Sequence, residues 1–295
     1  MVSIKKKKIN GNNYYYLEHS FRKNGKVEKK EKYLGTTLPK NINQLKENFL
    51  LEFYQETWFT KFDKIKEQHK KEKKKIPRSL EKKELENFTI AFTYSTNRIE
   101  GSTLTLRETA DLLEKGIAPS RRSIEDIKEA EQHKEVFYDM LAYQREINLS
   151  TVIHWHKTLF QYTKKEIVGK IRDHQVRISG SKYIPSSPFE QDILLREFFG
   201  WYNQNKKKIH PVQLAALTHL RFVSIHPFGD GNGRISRLLM NYVLNKNNYP
   251  MLIIDYSQRD SYYNALERSN LKNDESIFTI WFFKRYIKEF EKYLK

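Results

Sequence analysis

The spacing of apolar residues changes character along the chain, and the change divides it. Tyr14 to Arg22 and Lys26 to Tyr33 are short runs of mixed aromatic and polar residues on either side of Asn24-Gly25. Asn-Gly between such runs is the strongest short-range hairpin signal, because both residues tolerate positive φ. Gly35 and Pro39 close this segment. From Ile42 the period becomes helical, with Leu45, Phe49, Phe53, Phe59 and Phe62 recurring at intervals near three or four residues. The run Lys70 to Lys75, followed by Pro77, ends that pattern and leads to an expected division into residues 1–86 and 87–295.

Beyond residue 86 nearly every segment reads as helix. Thr105 to Glu108 fits a capping box, and its helix runs toward a stop at Lys115-Gly116. Ser123 and Ser150 are expected to cap two further helices, the second carrying Ile153, His156, Leu159 and Phe160. His210 to Ile225 is so apolar that its helix should be central, and Asp274 should cap a last amphipathic helix. The exception is Gln175 to Pro188, where alternation around Gly180 predicts a short hairpin. The expected fold is mainly α, with that hairpin beside the helices and a small β-hairpin plus basic helix in front.

Composition alters this picture in two ways. The 295 residues include 54 Lys or Arg against 36 Asp or Glu, a formal net charge of +18, and residues 1–86 alone contribute 23 against 12. A basic hairpin and helix can hold nucleic acid by neutralising phosphates. The alternative is a solvated lysine-rich face, since lysine without clustered arginine carries little recognition geometry. There is no cysteine, which excludes disulfides and thiolate chemistry. No apolar run has the length of a membrane span or of a signal sequence, so the expected setting is cytoplasmic with no membrane partner.

One segment carries chemistry: His226-Pro-Phe-Gly-Asp230-Gly-Asn-Gly-Arg234-Ile-Ser-Arg237. Gly231 and Gly233 let the backbone turn and approach a ligand closely. Amides opening a helix after such a turn form an anion hole, and the helix dipole adds to it. Arg234 and Arg237, three residues apart, share a helix face and can clamp further phosphate oxygens. Asp230 can hold a hard cation such as Mg²⁺, and His226 can act as a base near neutral pH. Together they describe a nucleotide-phosphate site with a base beside it.

The pattern H-x-F-x-[DE]-G-N-G-R-x-x-R fixes eight positions, and this segment resembles the signature of the Fic family, whose members transfer AMP from ATP onto protein hydroxyls. The resemblance extends over residues 87–295 and implies a helical Fic-type core with the loop between two central helices. It implies that His226 deprotonates a Tyr, Thr or Ser hydroxyl of the target and that Asp230 holds Mg²⁺ on the α- and β-phosphates. Gly231, Asn232 and Gly233 would form the anion hole, with Arg234 and Arg237 on the outer phosphates. Gln175 to Pro188 resembles the family's target-positioning flap, placing Gly180, Ser181, Lys182 and Tyr183 near the nucleotide. Arg259 to Asn270 resembles the segment closing the adenosine pocket, with Tyr262, Tyr263 and Asn270 as contacts.

Thr96-Asn-Arg-Ile-Glu100-Gly101 fits [ST]-x-x-x-E-[GN], similar to the inhibitory helix of this family. A carboxylate paired with Arg237 would take the place of the γ-phosphate. The resemblance implies an autoinhibited adenylyltransferase in which Glu100 is a brake, a residue for removing AMP again, or both. The expected partners are ATP, a protein with an acceptor hydroxyl, and, as open options, a second copy of the chain and nucleic acid through residues 1–86. A regulator acting through its basic N-terminal region, with a secondary or inert core, is the alternative.

Overall fold

The computed structural model describes residues 2–23 and 26–295. The chain divides into two compact units, Met1–Lys64 and Ile65–Lys295. The expected boundary at residue 86 instead falls inside an unbroken helix, Arg78–Ile99. No glycine or proline interrupts that helix, so nothing in its sequence breaks the chain there.

In the first unit, strands β1 (Val2–Ile9), β2 (Asn12–Lys23) and β3 (Lys26–Gly35) form an antiparallel sheet in that order. Two strands were expected and three are present. The extra strand is the run Val2–Ile9, whose four consecutive lysines hide any alternation. Its turn is nevertheless signalled by Asn10-Gly11, both at positive φ (50° and 81°), as a two-residue hairpin turn requires. The expected turn at Asn24-Gly25 lies outside the described residues. Helix α1 (Ile42–Tyr54), a π-helical turn (Gln55–Phe59) and helix α2 (Thr60–Lys73) follow. His19 and Phe21 of β2 pack on Phe53 of α1, each ring pair 4.8 Å apart, and Leu17 is fully buried.

The second unit holds α3 (Arg78–Ile99), α4 (Leu106–Lys115), α5 (Ile124–Ala142) and α6 (Leu149–Phe160). It continues with α7 (Gln191–Asn205), α8 (Pro211–Ile225), α9 (Asn232–Lys246), α10 (Arg259–Lys272) and α11 (Glu275–Glu289). Both bonds of the capping box at α4 form, and that helix ends at Gly116. Ser123 and Asp274 cap α5 and α11. Ser150 does not cap α6. Asn148 does, accepting from the Thr151 amide at 3.0 Å, because its carboxamide oxygen stands one residue before the first turn while Ser150 is already inside it. Helices α8 and α9 pack on each other at the centre, and every residue of α9 from Arg234 to Leu244 is buried. Their connection is the 226–231 loop, so the most deeply packed helices in the chain hold it at both ends.

The expected hairpin at 175–188 is a correction. Gly180 does turn the chain, and the Ser181 amide donates to the Ile178 carbonyl at 3.1 Å, yet no strand ladder forms there. Side chains take the backbone groups that a ladder would use. Arg172 donates to the Ser186 and His174 carbonyls, Gln175 donates to the Pro185 carbonyl, and the Lys182 amide donates to Glu267. Pro185 and Pro188 have no amide to contribute.

Three histidines are buried in this core. His133 bonds to Thr93 at 2.9 Å and His219 to Tyr262 at 2.9 Å; burial holds both far below the usual imidazole range. Burial likewise lowers His156 to about 4. Below pH 6.5 the unfolded chain protonates at these positions while the folded chain does not, so stability present above 6.5 is lost as pH falls. We expect the urea midpoint to drop steadily from pH 7 to pH 5. The steepest slope is about 1.4 kcal/mol per pH unit for each histidine. A midpoint unchanged over that interval would contradict this account.

Candidate active site

His226 ends α8 in the left-handed conformation (φ 55°, ψ 58°), which is costly for a residue with a side chain and turns the chain sharply out of the helix. Its Nδ1 lies 3.2 Å from the Val223 carbonyl, which can only accept, so Nδ1 carries the proton and Nε2 is left as a proton acceptor. Burial lowers the pKa of this ring, keeping it neutral and basic at neutral pH. Arg172, itself buried, donates through Nε to the His226 carbonyl at 2.7 Å and through its amide to the Pro227 carbonyl at 2.9 Å.

The rest of the loop is pinned from both sides. Phe228 is fully buried and stacks on His156 with ring centres 3.9 Å apart. The Asn232 side chain accepts from the Phe228 amide at 2.9 Å and donates to the Phe228 carbonyl at 2.8 Å. That commits its carboxamide to loop geometry, leaving only its backbone amide for an anion. Gly231 (φ 79°) precedes α9, and a Cβ there would collide with the Phe160 ring. No side chain caps α9, so its first-turn amides open outward as an anion site.

Arg237 is almost fully buried. Its Nε donates to the Thr96 hydroxyl at 2.6 Å, and its terminal nitrogens reach the Thr96 carbonyl, the Tyr262 hydroxyl at 3.2 Å and the Glu100 carboxylate at 2.6 Å. Against its burial, Tyr262 and Glu100 hold this guanidinium above its ordinary range. The Glu100 carboxylate also lies against Gly233, where a Cβ would collide with its oxygen. Thus Glu100, at the C-terminal end of α3, sits directly over the opening of α9. Arg259 and Tyr263 donate to the Ile99 carbonyl at 3.2 and 3.3 Å, holding the end of α3 in place, and Gly101 carries the chain away at φ 105°.

A cavity of about 550 Å³ is lined by His226, Gly233, Arg237, Glu100, Gly180, Ser181, Tyr183, Tyr262, Tyr263 and Asn270. These are ten of the residues expected at the site, drawn from four separate stretches of sequence. Lys182, Asp230, Gly231, Asn232 and Arg234 do not line it. The tip of the 175–188 segment is tied to α10: Glu267 accepts from the Ser181 hydroxyl at 3.0 Å and from the Lys182 amide at 2.6 Å. Tyr183 donates to the Ser224 carbonyl at 3.0 Å, and Ser224 donates to Asn270 at 2.7 Å.

Asp230 and Arg234 point to a second cluster that the sequence did not reveal. Arg234 is ion-paired with Glu129 of α5, and Asp230 with Lys164; Lys164 Nζ also lies 3.3 Å from both Glu125 and Glu129. Against burial, Arg234 and Lys164 keep Asp230 below the usual carboxylate range. Glu129 stands 105 residues from Arg234 and Lys164 stands 66 from Asp230, on a helix and a loop with no motif of their own. Only a charge facing the buried side of a helix, as at Glu129, could have marked them.

A loop held by two buried helices, with a histidine at its entry and uncapped helix amides at its exit, thus sits within an all-helical core. Residues 146–244 match the Fic/DOC family model. Proteins named protein adenylyltransferase Fic from Drosophila virilis and Drosophila melanogaster are 36% and 35% identical over 181 residues, 60% of this chain. That stretch is 37% and 36% of those relatives, so the chain matches little more than a third of their length. A Fic-domain-containing signalling protein from Bacteroides thetaiotaomicron superimposes with a TM-score of 0.71 at 28% identity, covering 79% of this chain and 96% of that one. Fic-1 from C. elegans shares the fold, with a TM-score of 0.72 at 23% identity over 87% of this chain and 78% of that one.

Proposed function

We propose that the protein is an adenylyltransferase that moves AMP from ATP onto a Tyr, Thr or Ser hydroxyl of a target protein and of itself. The observation that carries this is the placement of His226, with Nε2 free to accept a proton, on the same cavity as the open end of α9. His226 takes the proton of the acceptor hydroxyl, whose oxygen attacks the α-phosphorus. The bond from that phosphorus to the bridging oxygen breaks, and pyrophosphate leaves. The amides of residues 231–233 and the guanidinium of Arg237 stabilise the phosphate oxygens, where preorganised charge supplies most of the rate, and Arg234 would join them only on leaving its pair with Glu129. Tyr262, Tyr263 and Asn270 border the space for adenosine, and residues 180–183 lie where the target would be held.

Glu100 is the brake in this proposal, because its carboxylate already occupies the guanidinium that would bind the γ-phosphate. The same carboxylate, near the anion site, could orient water for removal of AMP. A second copy of the chain as partner is a separate proposal on which this site does not bear. Intact mass of the full chain with Glu100→Gly, after incubation with Mg-ATP, tests the transferase proposal. Gain of AMP supports it; a folded, unmodified protein overturns it.

The donor set around Asp230 fits a cation. Its carboxylate belongs to the loop itself and is already paired with a stand-in positive charge, the Lys164 ammonium. Asp230 would hold Mg²⁺ there, and the ion would neutralise charge developing on the phosphates. Lys164 must yield for that to happen. Lys164→Gln should therefore tighten Mn²⁺ binding about tenfold, the equivalent of one charge-assisted hydrogen bond at a half-exposed site. Calorimetric titration with Mn²⁺ alone reads this; equal affinity in wild type and variant would refute competition by Lys164.

A further inference from the structure

The proposed transferase chemistry leaves unexplained the positive charge of the N-terminal sheet. Residues 1–35 contain ten Lys or Arg and three Glu, a net +7 within one small sheet. Its two faces have different roles. The face carrying Leu17, His19 and Phe21 packs on α1, and the lysines on that side pair with helical glutamates, Lys30 with Glu56 at 2.5 Å and Lys32 with Glu52 at 2.7 Å.

Side chains alternate along a strand, so the opposite face carries Tyr14, Tyr16, Glu18 and Ser20 of β2. The register sets Lys7 and Lys5 of β1 beside Tyr14 and Tyr16, and Tyr33, Glu31 and Lys29 of β3 beside Tyr16, Glu18 and Ser20. Three tyrosine rings meet there. Tyr33 lies 5.2 Å from Tyr16 and 6.3 Å from Tyr14, and it is 52% exposed. Lys7 Nζ stands 4.4 Å over the Tyr16 ring. Lys5 and Lys29 flank the group and share Glu18, at 3.9 and 3.1 Å, while Lys7 reaches Glu31 at 2.7 Å. All three lysines remain at least 44% exposed. The glutamates hold the lysines upright around the rings, and Lys6 and Lys8 add charge along the β1 edge.

Lysine on an edge strand is ordinary protection against sheet-to-sheet pairing. That accounts for β1 but not for an exposed ring cluster spanning β2 and β3. Charge alone would suit any polyanion. Flat rings beside spaced ammonium groups suit a polyanion that also carries unpaired flat bases, because bases stack on the rings while phosphates meet the lysines. In a duplex the base faces are already stacked on one another. We propose that the outer face of this sheet, built on Tyr14, Tyr16, Tyr33, Lys5, Lys7 and Lys29, binds single-stranded nucleic acid. It is independent of AMP transfer.

Fluorescence anisotropy of the full chain with labelled twelve-nucleotide oligo-uridine and oligo-thymidine tests it. Binding should weaken with salt, with a log–log slope near −2 for about three phosphates neutralised. Tyr33→Ala should weaken binding about fivefold or more at fixed salt without changing that slope, while Tyr33→Phe keeps wild-type affinity. Replacing Lys5, Lys7 and Lys29 together by Gln should flatten the slope. Tyr33 and these lysines are exposed, so the variants should keep the wild-type circular dichroism spectrum, and Tyr33→Phe controls for loss of the hydroxyl alone. Three results would each overturn the proposal: no binding at 50 mM salt, Tyr33→Ala binding as tightly as wild type, or a twelve-base-pair duplex or heparin binding as tightly as the single strands.

Discussion

Replacing Glu100 by glycine should raise the rate of self-modification with Mg-ATP by at least tenfold at limiting ATP. The size follows from one contact. The Glu100 carboxylate holds Arg237 at 2.6 Å in a partly buried, charge-assisted hydrogen bond, and such bonds contribute about 1.5–3 kcal/mol, or roughly 10- to 150-fold in an equilibrium. Its oxygen also lies against Gly233, so the carboxylate blocks the amide opening as well as the guanidinium. Removing it should leave Arg237 in place, because Thr96 and Tyr262 still bind the guanidinium. Glu100→Gln separates the two effects: it keeps the bulk, loses the charge, and should fall between wild type and the glycine variant. Time courses of AMP incorporation by the three full-length proteins measure this. Equal rates in wild type and Glu100→Gly would remove Glu100 from any inhibitory role.

His226→Ala, placed in the Glu100→Gly background, should lower AMP incorporation by about 10²- to 10⁴-fold, the usual worth of a positioned general base. The anion loop should survive, since Arg172 binds the His226 backbone carbonyl and Asn232 ties the loop through Phe228, neither through the imidazole. ATP affinity should therefore change far less than the rate. The pH dependence gives an independent check. Burial lowers the His226 pKa, so the base stays neutral below the ordinary imidazole range, and the acid limb of the profile should lie under pH 6.5. Glu100 works against that lowering, so its removal should shift the limb further toward acid. Activity that persisted in His226→Ala would assign the base elsewhere.

The two charge changes test different links. The first concerns a tertiary contact between α3 and α9, the second a proton acceptor fixed by local backbone geometry. A sequence reader meets these with unequal success. The loop 226–237 was legible because its chemistry is local: glycines, a helix start and two arginines on one face lie within twelve residues. The helix caps at Thr105, Ser123 and Asp274 were legible for the same reason, each being a bond between residues at most three apart. Errors arose where neighbours compete. Asn148 displaced Ser150 as the cap of α6, and side chains from Arg172, Gln175 and Glu267 took the backbone groups that would have paired the 175–188 segment as strands.

By itself the sequence determined a mainly helical chain, the position of the 226–231 loop between two helices, the histidine at its entry and the concentration of charge near the N-terminus. It also contained the Asn10-Gly11 turn, although the four consecutive lysines of the preceding run masked the strand. Tertiary structure alone decided that Glu129 and Lys164 neutralise the loop's arginine and aspartate, and that three tyrosines from two strands form one surface, whereas the meeting of Glu100 with Arg237 across 137 residues was expected only through a family resemblance. The physical reason is range. Backbone propensity and capping act over three or four residues and leave a repeating trace in the chain. A salt bridge between distant helices needs only one residue from each, and such a pair acquires meaning only when packing brings the two together.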